Sequence, residues 1–186
     1  MIIGLTGYAQ SGKDTVAQIL VKRYGFTRVA FADPIREFAY DVNPIVDTVA
    51  NEKITLRYMV DRDGWEGAKK HEEVRKTLQR IGVAARNNFG DDFWIIKAME
   101  KVKHADRIVV TDVRFINEAK WIKNYEQSQI WRIKRLGIGA VNNHVSESEM
   151  DGYKVDQILV NNGTLDELDF LINTRMRVYA ESTQKA

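Results

Sequence analysis

The sequence predicts an α/β fold: a five-stranded parallel sheet with helices on both faces. Three observations carry that expectation. Short apolar runs alternate with segments of helical periodicity along most of the chain. The first run, Ile2 to Thr6, leads straight into the glycine-rich turn Gly7-Tyr8-Ala9-Gln10-Ser11-Gly12-Lys13. From about 46 to 104 no convincing strand can be read, so a helical insertion is expected between strands two and three.

Each element has its own reason. Ile2 to Thr6 is short and apolar throughout, as a strand buried on both faces must be. A helix is expected from about Gly12 to Tyr24, with Val16, Ile19, Leu20 and Tyr24 on one face and Gly25 as its stop. Thr27 to Ala32 reads as the second strand. Asp33-Pro34 should open the next helix, Asp33 as N-cap and Pro34 at the first helical position. In the insertion, Val74, Leu78, Ile81 and Ala85 recur at helical spacing. Asp91 and Asp92 should open a further helix carrying Lys97, Lys101 and Lys103 toward its end, as the macrodipole prefers. Arg107 to Thr111 is the third strand, ending in Asp112, and a helix follows through Ile116, Ala119 and Ile122. Ile130 to Ile133 and Ile158 to Val160 are strands four and five. Ser146 and Glu149 have the spacing of a capping box, and Asn161-Asn162-Gly163 reads as a turn. Thr164 should cap the last helix, with Leu165, Leu168, Leu171 and Ile172 inward. The expected organisation is one domain: a core of about 1–45 and 105–186, an insertion of about 46–104 and a small lid of about 135–150.

Composition narrows the function classes. A net charge of +2, from 28 basic and 26 acidic residues, argues against a nucleic-acid binder. The absence of cysteine removes disulfides, thiolate metal sites and a cysteine nucleophile. Three histidines without an H-x-x-H pattern make a transition-metal site a poor fit, His144 lying in a polar loop near Glu147. No signal peptide and no apolar stretch of membrane-spanning length can be read, so a cytoplasmic protein with no membrane partner is expected.

The glycine-rich turn has the spacing G-x-x-x-x-G-K of a phosphate-binding P-loop. A strand end, a glycine turn and a helix start aim backbone N–H groups at one place where an anion can sit. Gly7, Ser11, Gly12 and Lys13 are therefore candidate ATP contacts, Lys13 adding a point charge for the outer phosphates. Asp14 stands where such loops carry Ser or Thr. A carboxylate beside polyphosphate needs a cation between them, so Asp14 is read as approaching Mg²⁺, directly or through water, with Thr15 supplying the hydroxyl. The competing account of Asp14 is a favourable charge at a helix N-terminus.

Ligands in parallel sheets bind at the carboxyl ends of the strands. The P-loop, Asp33 to Arg36, Asp112 to Glu118 and Arg135 to His144 all follow strands and should meet at one edge. Asp112 ends an apolar strand and could hold the Mg²⁺ shell, contact an acceptor or cap the next helix. Arg114 can bind phosphate in bidentate fashion, and Asn117 and Glu118 could read a base or sugar. Arg36 is either a clamp for an acceptor phosphate or a solvated helix residue. Arg80 and Arg86 fall on different faces of an unbroken helix, so at most one points at the site unless Gly82 breaks it. Arg132 and Arg135 precede a glycine-containing loop that could close over phosphates, against the reading of a solvated strand face. Trp65, beside Gly64 and Gly67, is a packing residue or flanks a base.

Six segments occur in order: Gly12-Lys13-Asp14-Thr15, Phe31-Ala32-Asp33-Pro34-Ile35-Arg36, Leu78-Gln79-Arg80-Ile81-Gly82, Phe89-Gly90-Asp91-Asp92-Phe93-Trp94, Asp112-Val113-Arg114-Phe115-Ile116-Asn117-Glu118 and His144-Val145-Ser146-Glu147. Together they resemble the deoxynucleoside monophosphate kinases of bacteriophages, over nearly the whole chain. The resemblance implies a P-loop NTPase fold with a helical acceptor-binding insertion and a lid. It also implies Mg²⁺-dependent transfer of the ATP γ-phosphoryl group to a deoxynucleoside monophosphate in the host cytoplasm. By the match Gly12, Lys13, Asp14 and Thr15 are ATP contacts. Ile35, Arg36, one of Arg80 and Arg86, and Asp112, Arg114 and Glu118 are acceptor contacts, with Lys13, Asp112 and Arg114 closest to the chemistry. Some phage relatives carry basic residues inside the loop where this chain has Ala9 and Gln10; Arg132 and Arg135 are the expected replacements. Two alternatives stand beside this reading: a kinase of the same fold with another acceptor, like the dephospho-coenzyme A kinases, and a nucleotide-binding module without a small acceptor. The preferred base and the oligomeric state, a homodimer among the alternatives, stay open.

Overall fold

A computed structural model of the chain describes residues 1–139 and 148–183. It divides into two compact units: Met1–Ala30 with Val102–Ala186, and Phe31–Lys101. The division falls at Phe31 and Lys101, where the sequence suggested about 46 and 104.

The first unit is built on a five-stranded sheet: β1 (Ile2–Thr6), β2 (Thr27–Val29), β5 (Ile108–Val110), β6 (Ser128–Lys134) and β7 (Gln157–Val160), numbering β3 and β4 in the second unit. The order is β2-β5-β1-β6-β7 and every pairing is parallel, with Ile2 opposite both Ile108 and Ser128. β1 is central and buried at all five positions, which explains its unbroken apolar run. Successive residues face opposite sides. Ile3, Leu5, Val109, Trp131, Ile133 and Leu159 meet Val16, Ala17 and Leu20 of α1 (Lys13–Tyr24) and Leu168, Ile172 and Met176 of α7 (Leu165–Thr183). On the other face α6 (Ile116–Lys123) comes so close that a Cβ on Gly4 would lie 2.8 Å from Ile122 Cδ1. The chains leaving β1 and β5 travel to opposite sides, and the ends of these neighbouring strands form the crevice that parallel sheets use for ligands.

The second unit holds α2 (Ala32–Val42), the antiparallel hairpin β3 (Ile45–Val49) and β4 (Glu52–Thr55), α3 (Leu56–Ala68), α4 (Glu72–Phe89) and α5 (Phe93–Glu100). Its own core gathers Ala39, Val46, Leu56, Met59, Ala68 and Val74. The hairpin corrects the expectation of a strand-free insertion. Its turn residues Ala50 and Asn51 both have positive φ, 50° and 68°, as a tight hairpin of this hand demands. Neither residue is glycine, so the usual turn signal is missing. Val74 is buried, and Leu78 and Ile81 pack beside it, as the spacing predicts. Trp65 is half-buried against the same core.

Several boundaries differ from expectation. β2 stops at Val29, and α2 starts two residues early, with Phe31 as N-cap, Asp33 inside the first turn and Pro34 third. Pro34 is still tolerated there, since the first N–H groups of a helix have no partner within it. α5 stops at Glu100, leaving Lys103 outside it. Leu165 is exposed rather than inward; Leu168 and Ile172 are buried. His144, Ser146 and Glu147, and with them the middle of the expected lid, lie outside the described residues.

Candidate active site

The P-loop is shaped by residues far from it in sequence. Gly7 has φ 136°, and a Cβ there would sit 2.3 Å from the Ile133 carbonyl oxygen of β6. Gly12 has φ 103°, and its Cβ would sit 2.2 Å from Asn161 Nδ2. Both conformations favour glycine on backbone grounds, and the close neighbours leave no volume for another side chain. Gln10 also has positive φ, 64°. The Ser11 N–H donates to the Tyr8 carbonyl at 3.2 Å and closes the turn. Ser11 itself is buried, and its Oγ has no hydrogen-bond partner among the described residues.

Lys13 Nζ donates to the Gly7 and Tyr8 carbonyls at 2.7 and 2.8 Å. The ammonium is thus held over the loop rather than in solvent. Asp14 is exposed in the first turn of α1, and Thr15 follows half-buried. Tyr8 Oη donates to Asp151 Oδ2 at 2.7 Å, tying the loop to the segment after β6.

A cavity of about 450 Å³ lies beside the loop, in the first unit. Thr6 to Ala9 and Ser11 form one wall. Val113 and Arg114 form another. Arg132 to Arg135, Ile138, Met150 and Asp151 complete it. Three of the four sequence segments expected at the sheet edge therefore do converge; Arg36 belongs to the second unit. Arg114, Lys134 and Arg135 are all exposed and bring positive charge to this wall.

The structure gives two of the candidates other work. Arg132 donates to the carbonyls of Asp151 and Tyr153, each at 3.1 Å, and to that of Met150. Its guanidinium anchors a backbone turn, so the side chain is not simply on a solvated strand face. Glu118 is buried, and its Oε2 accepts from the Arg114 and Phe115 N–H groups at 2.7 and 3.0 Å. It holds the bend that presents Arg114, as an acidic residue third in a helix commonly does. Glu149 Oε1 accepts from the Ile116 N–H at 2.8 Å, so the same helix start is also held from the far side of β6. Asp112 is half-buried immediately after β5 and the buried Thr111.

In the second unit, α4 runs unbroken through Gly82. Arg80 and Arg86 are therefore about 120° apart around its axis. Arg80 is bonded to Glu73 and lies 3.3 Å from Thr77 Oγ1. Arg86 is mostly covered, at 20% side-chain exposure, with Nε 3.4 Å from Asp91 Oδ1. Ile35 approaches Gly82 within 3.5 Å of where a Cβ would be, and Arg86 stands one turn beyond Gly82 on that face. Arg36 Nη1 is 3.4 Å from Asp33 Oδ1. Glu66 is held below the usual glutamate range, first by its hydrogen bond from Lys69 and also by the field of Arg36.

Among the described residues no group of three or more His, Asp or Glu could cage a metal ion. Mg²⁺ bound mainly by substrate phosphates needs no such cage, since that ion takes only one or two carboxylates in such sites. Among the described residues no helix is long and apolar enough to cross a membrane.

Comparison with known proteins agrees with this geometry. The family model described as deoxynucleotide monophosphate kinase matches residues 65–172. A protein of Acanthamoeba polyphaga mimivirus, described as "Putative deoxynucleotide monophosphate kinase", is 33% identical over 183 residues, 90% of this chain and 91% of its own. Among solved structures, a dephospho-CoA kinase from Campylobacter jejuni covers 98% of both chains with a TM-score of 0.51 at 15% identity, a likeness of fold. A shikimate kinase from Aquifex aeolicus covers 99% of this chain and 98% of its own, with a TM-score of 0.49 at 11% identity.

Proposed function

The chain belongs to the deoxynucleotide monophosphate kinase family and is a phosphotransferase, and on that premise we propose which groups carry the transfer from ATP to a deoxynucleoside monophosphate. The P-loop amides from Gly7 to Lys13 receive the outer phosphates of ATP, and Lys13 exchanges its two carbonyl partners for phosphate oxygens. Ser11 lines the loop. Asp14 and Thr15, with Asp112, would hold Mg²⁺, which would supply charge neutralisation on the phosphates. Arg114, on its glutamate-held bend, takes the acceptor phosphate. In the second unit Ile35, Arg36 and Arg86 are the acceptor contacts; Arg86 is preferred to Arg80 because it shares the Gly82 face with Ile35. Arg135 remains the arginine for the transferring group, whereas Arg132 supports the turn that lines the cavity. Glu118 acts on the acceptor through Arg114 rather than by touching it.

An oxygen of the acceptor phosphate attacks the γ-phosphorus, and the bond to the β–γ bridging oxygen breaks, leaving ADP. The acceptor monoester is already largely ionised near neutral pH, so no general base is needed. What the protein supplies is position and preorganised positive charge. The observation that carries the reading is the glycine-restricted loop with Lys13 folded over it, beside a cavity lined by Arg114 and Arg135. The reaction is placed in the cytoplasm, and a homodimer is the assembly to test by sedimentation.

The deciding measurement is a coupled assay with ATP and Mg²⁺ across the deoxy- and ribonucleoside monophosphates. Product should form with a deoxynucleoside monophosphate. ATP turnover that ignores every monophosphate would overturn the assignment.

A further inference from the structure

The turn after β7, Asn161-Asn162, has more contacts with the phosphate site than a turn requires. Asn161 Nδ2 donates to the Ser11 carbonyl at 2.9 Å. The acceptor is a carbonyl, so the amide nitrogen, not the amide oxygen, must face it. The Asn161 N–H donates to the Lys134 carbonyl at 2.7 Å. Asn162 Oδ1 accepts from the Leu136 N–H at 2.7 Å. One dipeptide thus grips the P-loop with one side chain and brackets Arg135 from both sides.

The first grip has a directional consequence. In a planar trans peptide the carbonyl and the next N–H point opposite ways. Holding the Ser11 carbonyl toward Asn161 turns the Gly12 N–H away from it. The same closeness is why Gly12 has no room for a Cβ.

We infer that Asn161 and Asn162 are positioning residues of the nucleotide site: Asn161 aims the Gly12 N–H at the ATP phosphates, and Asn162 fixes the backbone that presents Arg135. The inference rests on the P-loop being the ATP site. Without Asn161 the Ser11–Gly12 peptide is free to rotate, and the anion loses a prepaid donor. Without Asn162 the loop keeps its amides, but Arg135 is loosened.

Calorimetric titration with ADP and steady-state kinetics test both halves. Asn161→Ala should weaken ADP binding about tenfold, the loss expected for one hydrogen bond to a charged group, and leave the acceptor KM within about twofold. Asn161→Asp keeps the side-chain volume, loses the donor and carries the test if Asn161→Ala does not fold. Its ADP affinity should fall at least as far as that of Asn161→Ala, because an ionised carboxylate offers the Ser11 carbonyl no donor. Asn162→Ala should lower kcat with ADP affinity within about twofold of wild type, and should add nothing in an Arg135→Ala background. Wild-type ADP affinity in folded Asn161→Ala or Asn161→Asp, ADP and acceptor constants rising together, or additivity of Asn162→Ala with Arg135→Ala would overturn the inference. A wild-type protein that binds no ADP at all would instead overturn the proposed function.

Discussion

The candidate site residues of the two units are held in different ways. In the first unit Lys13, Arg132 and Glu118 have backbone partners. Lys13 sits on two carbonyls, Arg132 on three, and Glu118 on two N–H groups. In the second unit the candidate arginines sit on carboxylates: Arg36 on Asp33, Arg80 on Glu73, Arg86 on Asp91. A backbone partner is fixed by the fold, so it preorganises a site. A carboxylate partner is an anion that another anion can replace. The difference teaches that the fold itself holds the candidate groups of the first unit in place, whereas the candidate arginines of the second unit rest on exchangeable counter-ions.

The largest effects should come from breaking the preorganised side. Lys13→Ala should lower kcat by about 10²–10³-fold, the range for removing one aimed donor from transferring charge. Circular dichroism should stay native, because the lysine's bonds to Gly7 and Tyr8 are not part of the core. Near-normal turnover would remove the P-loop from the mechanism. Gly12→Ala should cost stability as well as activity. At φ 103° an alanine is strained by about 1–3 kcal/mol. For a chain of this size that is about 2–12 °C in Tm, readable by calorimetry.

How much of this was legible follows the same division. The central strands and the P-loop declare themselves locally: an apolar run and two glycines at fixed spacing are short-range signals. Arg132 does not, because its three carbonyl acceptors lie eighteen or more positions away. Asn161 reads as a turn residue for the same reason; its partner is 150 positions distant. Glu118 was visible as a polar residue past a strand tip, but only the fold shows its carboxylate spent on the Arg114 bend. The hairpin was missed because Ala50 and Asn51 adopt positive φ without a glycine to announce it. The unbroken course of α4 through Gly82 separates Arg80 from Arg86, which spacing alone left open.

Smaller effects should separate two of the three proposed acceptor arginines, Arg114 and Arg36. Arg114→Ala and Arg36→Ala should each raise the acceptor KM by about 10–100-fold, the scale of a charge-assisted hydrogen bond, with the ATP KM little changed. They should part when the neighbour is altered. Asp33→Asn removes the counter-ion that competes for Arg36, so the acceptor KM should fall about two- to fivefold, most at low salt. A rise in acceptor KM on Asp33→Asn would mean that the aspartate orients Arg36 instead of competing for it.

The smallest effect belongs to Glu66, whose carboxyl is held low by Lys69 and, more weakly, by Arg36. A depressed carboxyl stabilises the fold above the unfolded pKa of about 4.3, and that contribution fades as pH falls through the lower folded value. Glu66 is mostly exposed, so screening leaves about 0.5 kcal/mol or less. Glu66→Gln should therefore shift Tm by no more than about 2 °C at pH 7 and less still below pH 4. Its effect on the acceptor KM should have the sign of Asp33→Asn and a smaller size, because Glu66 acts on Arg36 through its field while Asp33 touches it. If the two variants moved the acceptor KM equally, the arginine would be answering to net charge in its surroundings, and exchange with one carboxylate would not be the device that frees it.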